Sequence, residues 1–188
     1  MKIFILDNYD SFTYNLVHII EQFTNFVVVK RYDEINISNL TNFDKIVFSP
    51  GPGLPSDVKI MNKIIDAYKE TKSILGVCLG HQAIAEYFGG SLINMPEVNH
   101  GREFDTKIIK EDYLFKNVPN LFGTGRYHSW IVNNTNFPNE LEITSIDPNT
   151  KYIMSLRHKV FDIRGVQFHP ESVMTKHGIK ILENWVNN

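Results

Sequence analysis

The 188-residue sequence contains one cysteine, Cys78, so it allows no internal disulfide and no cysteine cluster of the kind that holds zinc. It also lacks a dominant charge. Nineteen Lys and Arg face 21 Asp and Glu, a net charge of -2, which provides no broad basic surface and makes nucleic acid an unexpected partner. Long apolar runs are missing too. The opening KIFILD is cut off by Asp7, too short for a secretory h-region, and no later stretch approaches a membrane span. A cytoplasmic protein is therefore expected. No linker, repeat or low-complexity tract interrupts the chain, so residues 1–188 are expected to form one domain. Apolar residues at 43% and charged residues at 21% are ordinary for a globular protein with a sizeable core.

The first half alternates short apolar runs with helical periodicity. Lys2–Leu6, Phe26–Lys30, Lys45–Phe48 and Ser73–Val77 read as buried strands. Between them, Ser11 to Phe23 places Phe12, Leu16, Ile19, Ile20 and Phe23 at helical spacing, with Ser11 or Asp10 as a cap. Asp57–Tyr68 is a second helix, and Leu79–Phe88 a third, closed by Gly89-Gly90. In the second half, Ser91–Ile93, Lys107–Ile109, Ser129–Val132, Leu141–Ser145 and Ile153–Arg157 read as shorter strands. Ile163–Phe168 is a further apolar strand, and Gly178–Val186 an amphipathic closing helix. The expected fold class is α/β: an open, mostly parallel central sheet with helices on both faces and added antiparallel strands.

Chemistry concentrates around Cys78. The run Ile74-Leu75-Gly76-Val77-Cys78-Leu79-Gly80-His81-Gln82 carries a strand through Gly-x-Cys-x-Gly into a helix, the thiol form of a nucleophile elbow. The two glycines let neighbouring backbone approach. The helix N-terminus favours a thiolate, and the Leu79 N–H is placed for a developing oxyanion. A small apolar core cysteine is the bland alternative. A cysteine nucleophile needs a base and the base an orienter. In Gly165-Val166-Gln167-Phe168-His169-Pro170-Glu171, Pro170 keeps His169 extended, so His169 and Glu171 share one face. An exposed histidine beside an unrelated glutamate is the alternative. His81 is a weaker candidate base, because its side chain should point away from the turn. The loop Ser49-Pro50-Gly51-Pro52-Gly53 follows a strand, where an N–H near Gly53 can join that of Leu79 in a two-donor oxyanion hole; a plain turn is the competing meaning. Gln82, one turn into the helix, is either a polar substrate contact or a solvated helix residue.

Four segments together, GVCLGHQ around Cys78, FSPGPG at 48–53, RYHS at 126–129 and GVQFHPES at 165–172, resemble the class I glutamine amidotransferases over nearly the whole chain. Within them, the opening DNYDSFTYN at 7–15 resembles the glutaminase subunits that serve two chorismate-using synthases, those of anthranilate and of 4-amino-4-deoxychorismate. The resemblance implies a triad of Cys78, His169 and Glu171. It also implies a glutamine pocket shaped by Gly51, Pro52, Gly53, Gln82, Ser129 and Trp130, largely through backbone groups. No metal and no organic cofactor is implied. Cys78 would attack the side-chain amide of glutamine, His169 would protonate the departing ammonia, and water would release glutamate from the thioester.

Two departures from the family pattern stand out. Trp130 occupies a position where the family usually has Leu. His100-Gly101-Arg102-Glu103 replaces a usual His-Gly-Lys-Ser/Thr stretch, expected to be a surface or partner-contact loop. No segment of the chain is left over to bind an ammonia acceptor, so a separate chorismate-binding synthase subunit is the expected partner. Ser11, Tyr14 and Asn15 are candidates for that interface, with an ordinary helix N-terminus as the alternative. Two other functions compete: a thiol esterase of α/β-hydrolase type, in which the triad acid precedes the histidine, and a glutamine-sensing subunit without chemistry.

Overall fold

In the computed structural model the side chains are described for residues 1–95 and 101–188. Nine strands are found among the described residues: β1 Ile3–Asp7, β2 Val27–Arg31, β3 Lys45–Phe48, β4 Ser73–Val77, β5 Leu92–Ile108, β6 Leu121–Val132, β7 Leu141–Ile146, β8 Ile153–His158 and β9 Ile163–Val166. They form one sheet in the order β2-β1-β3-β4-β9-β8-β7-β5-β6. The first five in that order run parallel; β8, β7, β5 and β6 add antiparallel pairing on one side. The parallel share is thus five strands of nine, close to the sequence expectation.

Period-two alternation in the parallel strands divides the core. Ile3, Ile5, Val47, Leu75 and Val77 face one side, where α1 (Thr13–Ile20) and α4 (Gly178–Asn187) bring Leu16, Ile20, Ile181, Leu182 and Trp185. Phe4, Leu6, Ile46, Phe48 and Ile74 face the other, against Met61, Ile64 and Ile65 of α2 (Ile60–Tyr68) and Ala83 and Ile84 of α3 (Leu79–Tyr87). The near-continuous apolar strands read from sequence are the strands buried on both faces.

Four local expectations are corrected. Helix α1 begins at Thr13, not Ser11, with Phe12 at its N-cap and no side-chain cap. Asp10 instead accepts the Phe12 N–H at 2.7 Å, closing the preceding loop as an Asx turn. The helix expected over 57–68 begins at Ile60, because Pro55–Asp57 forms a separate 3-10 turn. The segments Ser91–Ile93 and Lys107–Ile109 belong to one long strand, β5, and Ser129–Val132 is the end of a β6 that begins at Leu121. The stretch around residues 101–103 is accordingly not a loop. Arg102 and Glu103 pair with Arg126 and Gly125 on β6 and are exposed, as expected of a surface segment; the His100 side chain lies outside the described residues.

Candidate active site

Parallel strands bring their carboxyl ends to one edge, and that edge is where an open α/β sheet binds ligands. Here it gathers the loop after β1, the Pro-Gly loop after β3, Cys78 directly after β4, and the segment Gln167–Glu171 after β9. Asn8 ties the first two loops: its N–H donates to Ser49 Oγ at 2.9 Å and its Nδ2 to the Ser49 carbonyl at 2.8 Å.

Cys78 has φ 51° and ψ -99°, a strained conformation for a non-glycine residue and the signature of an elbow. Two neighbours make the turn possible. A Cβ on Gly76 would come within 2.4 Å of the Gly80 backbone, and one on Gly80 within 2.6 Å of Phe48. The Cys78 N–H donates to Val166 O at 2.8 Å, and its carbonyl accepts the Gln82 N–H at 3.0 Å, so α3 starts at once and aims its positive end at the thiol.

His169 arrives from β9. Its N–H donates to Gly125 O at 3.1 Å, and its carbonyl accepts Thr175 Oγ1 at 2.7 Å, which fixes the backbone. Nδ1 lies 2.7 Å from Glu171 Oε1; a carboxylate only accepts, so Nδ1 carries the proton. Nε2 has no formal hydrogen bond among the described residues, and Cys78 lies close enough to act on the ring. A loose contact of this kind is usual in a catalytic site without substrate. Burial opposes charging of the imidazole, yet hydrogen bonding and attraction from Cys78 and from Glu171 hold its pKa well above the ordinary value. Tyr127 and Phe12 flank the imidazole edge to face, with ring centroids at 4.8 Å and 5.8 Å. Tyr127 is tied by its hydroxyl to Ser172 Oγ at 3.0 Å.

A small pocket of about 170 Å³ opens beside Cys78, lined by Gly51, Pro52, Gly53, Gln82, Ser129 and Trp130 together with the cysteine. All six residues expected in the glutamine pocket are thus brought together. Leu79, the other expected oxyanion donor, packs against the same loop, since a Cβ on Gly51 would meet Leu79 Cδ2 at 2.8 Å. A wider cleft of about 510 Å³ leads outward from the thiol past His169, Phe12, Pro50, Tyr9 and Ser11. Ser11, Tyr14 and Asn15 are exposed, and of the three only Ser11 lines that cleft.

Gln82 departs from expectation. It is not a solvated helix residue but 3% exposed, and its Nε2 is engaged on Trp130 O at 2.8 Å and Gln167 Oε1 at 3.1 Å. His81 is fully buried against Gly165, and burial, partly offset by the Gly165 backbone, lowers its pKa to about 4. It is a neutral packing residue outside the cleft, as its position on the helix suggested. His128 donates Nδ1–H to Trp130 O at 3.1 Å, and burial, with repulsion from Arg126 and His169, lowers its pKa to about 3. Sequence reasoning singled out neither Gln167, which reaches Cys78, nor the ring contacts of Phe12 and Tyr127. All three lie inside quoted motifs, and an amide within an otherwise apolar buried strand was the one signal for Gln167. Other depressions near Tyr113 are lined by Arg157 and Arg164, which are ion-paired to Glu142, Asp112 and Asp162 at a distance from this edge.

A small pocket at the sheet edge, a strained cysteine at a strand-to-helix elbow and a His-Glu pair on the next strand define a cysteine-dependent α/β enzyme site. Residues 4–188 match the family model described as glutamine amidotransferase class-I. The chain is 46% identical over 187 residues to anthranilate synthase component 2 of Pyropia yezoensis, covering 98% of each chain. It is 39% identical over 185 residues to the protein of the same name from Lactococcus lactis, covering 98% of this chain and 93% of that one. It is 37% identical over 187 residues to aminodeoxychorismate synthase component 2 of Klebsiella aerogenes, covering 98% and 99%. A solved structure of a GMP synthase protein from Thermoplasma acidophilum superimposes with a TM-score of 0.89 at 24% identity, covering all of this chain and 92% of its own, and shares the fold. The chain belongs to the class-I glutamine amidotransferases.

Proposed function

We propose that residues 1–188 act as a single glutaminase domain, cytoplasmic and without a metal or organic cofactor, that supplies ammonia to a chorismate-using synthase subunit. Cys78 is the nucleophile. The Cys78–His169 pair is poised as thiolate and imidazolium, so His169 has a proton to give to the departing ammonia and then takes one from the water that cleaves the thioester. Glu171 fixes the ring and balances its charge. The N–H groups of Leu79 and Gly53 receive the oxyanion of the tetrahedral intermediate. Gly51, Pro52, Gly53, Gln82, Ser129 and Trp130 hold the glutamine.

The observation that carries this reading is the strained Cys78 facing a buried His169 whose far nitrogen is held 2.7 Å from Glu171, beside a small polar pocket. An acid two residues after the histidine differs from the α/β-hydrolase order and disfavours the esterase. Ammonia must reach its acceptor before it is protonated, which calls for a docked synthase. The names of the relatives support anthranilate synthase first and aminodeoxychorismate synthase as the second choice. Ser11, Tyr14 and Asn15, at or near the cleft mouth, are assigned to that docking face.

In the assembled complex, Cys78→Ala is expected to abolish glutamine-dependent product while ammonium salts at high pH still support it. Equal loss of both activities would defeat this division of labour. Co-purification of the chain with its synthase identifies the product.

A further inference from the structure

Gln167 is fully buried, lies two residues before His169, and has its Nε2 3.6 Å from Cys78 Sγ. The two ends of a side-chain amide are nearly alike in shape, so its polarity must be read from its partners. Here the partners leave one solution. The Trp130 backbone carbonyl can only accept, so the Gln82 atom 2.8 Å away must be its amide nitrogen. That nitrogen also faces Gln167 at 3.1 Å, so the Gln167 atom there must be its oxygen. The NH2 of Gln167 is then the group directed at the sulfur. The direction of this relay is set by a backbone atom that cannot be reversed.

We infer that Gln167 is a further catalytic residue, donating a hydrogen bond to the Cys78 sulfur, and that Gln82 is a positioning residue that holds Gln167 in the donating orientation. The assignment rests on Cys78 being the nucleophile. A donor to sulfur stabilises the anionic attacking form and weakens as sulfur becomes a neutral thioester, so it favours the charged state opposite the imidazolium of His169. The groups facing the sulfur are then His169 from the segment after β9, with Glu171 behind it, and Gln167 from the same segment; His81 on α3 and His128 on β6 stand by as neutral rings. The relay also joins two sites. Its far end is the backbone of Trp130, a wall of the small pocket, and its near end is the reacting atom.

The test uses the full chain and 6-diazo-5-oxonorleucine, a glutamine analogue with an electrophilic side chain, whose concentration dependence separates binding from covalent labelling of Cys78. Gln167→Met keeps the side-chain length and removes the donor. Its maximal labelling rate is expected to fall about tenfold, with half-saturation changed by less than about twofold, as for loss of one long hydrogen bond to a charged group. Gln167→Glu keeps the shape and replaces donor by acceptor; it is expected to lose at least as much and serves if the Met variant does not fold. Iodoacetamide, which needs no glutamine pocket, should show the same loss. Unchanged maximal rates in a folded variant would overturn the role of Gln167 and leave the nucleophile standing. A wild-type chain that takes no label would instead remove the nucleophile, and this assignment with it.

Discussion

Trp130 shows how much of a binding site can be carried by backbone. Its carbonyl accepts from Gln82 Nε2 at 2.8 Å and from His128 Nδ1 at 3.1 Å, so the main chain at this position is held from two sides whatever side chain it bears. The indole is half-buried at the pocket wall. Trp130→Leu is therefore expected to alter the KM for glutamine by less than about twofold in the complex, since substitutions that touch neither a buried network nor the packing are near neutral. Steady-state glutaminase kinetics with the synthase bound read this directly. A tenfold change would show that the ring itself shapes the pocket. His81 and His128 illustrate the reverse lesson. Each is a histidine near the active cysteine in sequence or in space, and each is kept neutral by burial, while His169 is charged because it has a carboxylate and a thiol for neighbours.

At the scale of elements, the elbow depends on β4, α3 and β3 approaching more closely than side chains permit. Gly76 faces the Gly80 backbone at 2.4 Å from where its Cβ would lie, and backbone cannot rotate away as a side-chain tip can. Gly76→Ala should push α3 off the sheet, lower stability by about 3 kcal/mol and displace Cys78 from His169. Chemical denaturation and labelling of Cys78 should both register the change; native stability with full labelling would show that the elbow has slack. These elements were legible in the sequence because apolar runs, turn residues and chemistry coincide there: β3 and β4 match their expected bounds residue for residue. The β5–β6 ribbon was not. Its strands carry exposed Arg102, Glu103 and Leu121, and are held largely by backbone pairing, so no hydrophobic alternation announces their length. Gly125, which reads as a turn residue, lies mid-strand where β6 passes beneath Ser172, 2.8 Å from its Oγ to the position of a Cβ. The relay of Gln82 and Gln167 was hidden for a different reason. Its members come from α3 and from the segment after β9, and only the parallel pairing of β4 with β9 sets them side by side.

For the whole molecule, the same buried histidines tie folding to pH. His81 and His128 titrate near their ordinary value of about 6.5 once the chain unfolds. In the native state burial holds them down to about 4 and about 3 respectively. Between these values the unfolded chain binds protons that the folded chain refuses, so stability rises with pH and is lost as pH falls below about 6.5. At pH 5 the gap amounts to about 2 kcal/mol for each histidine, by 1.36 kcal/mol per pH unit. His169 has the opposite sign. Its raised pKa stabilises the fold fully below the unfolded value and ceases to do so as pH climbs through the folded one, so it does not offset the acid loss within this window. Asp147, held below its ordinary range by hydrogen bonds and by Arg126 against the opposing effect of burial, adds an acid-side loss only at lower pH. The expected result is a urea midpoint that drops markedly between pH 7 and pH 5 and a shallower drop when His128 is replaced by Asn. Equal midpoints at the two pH values would mean that both rings accept protons within the folded core, and that the neutral walls assigned to the site are not neutral.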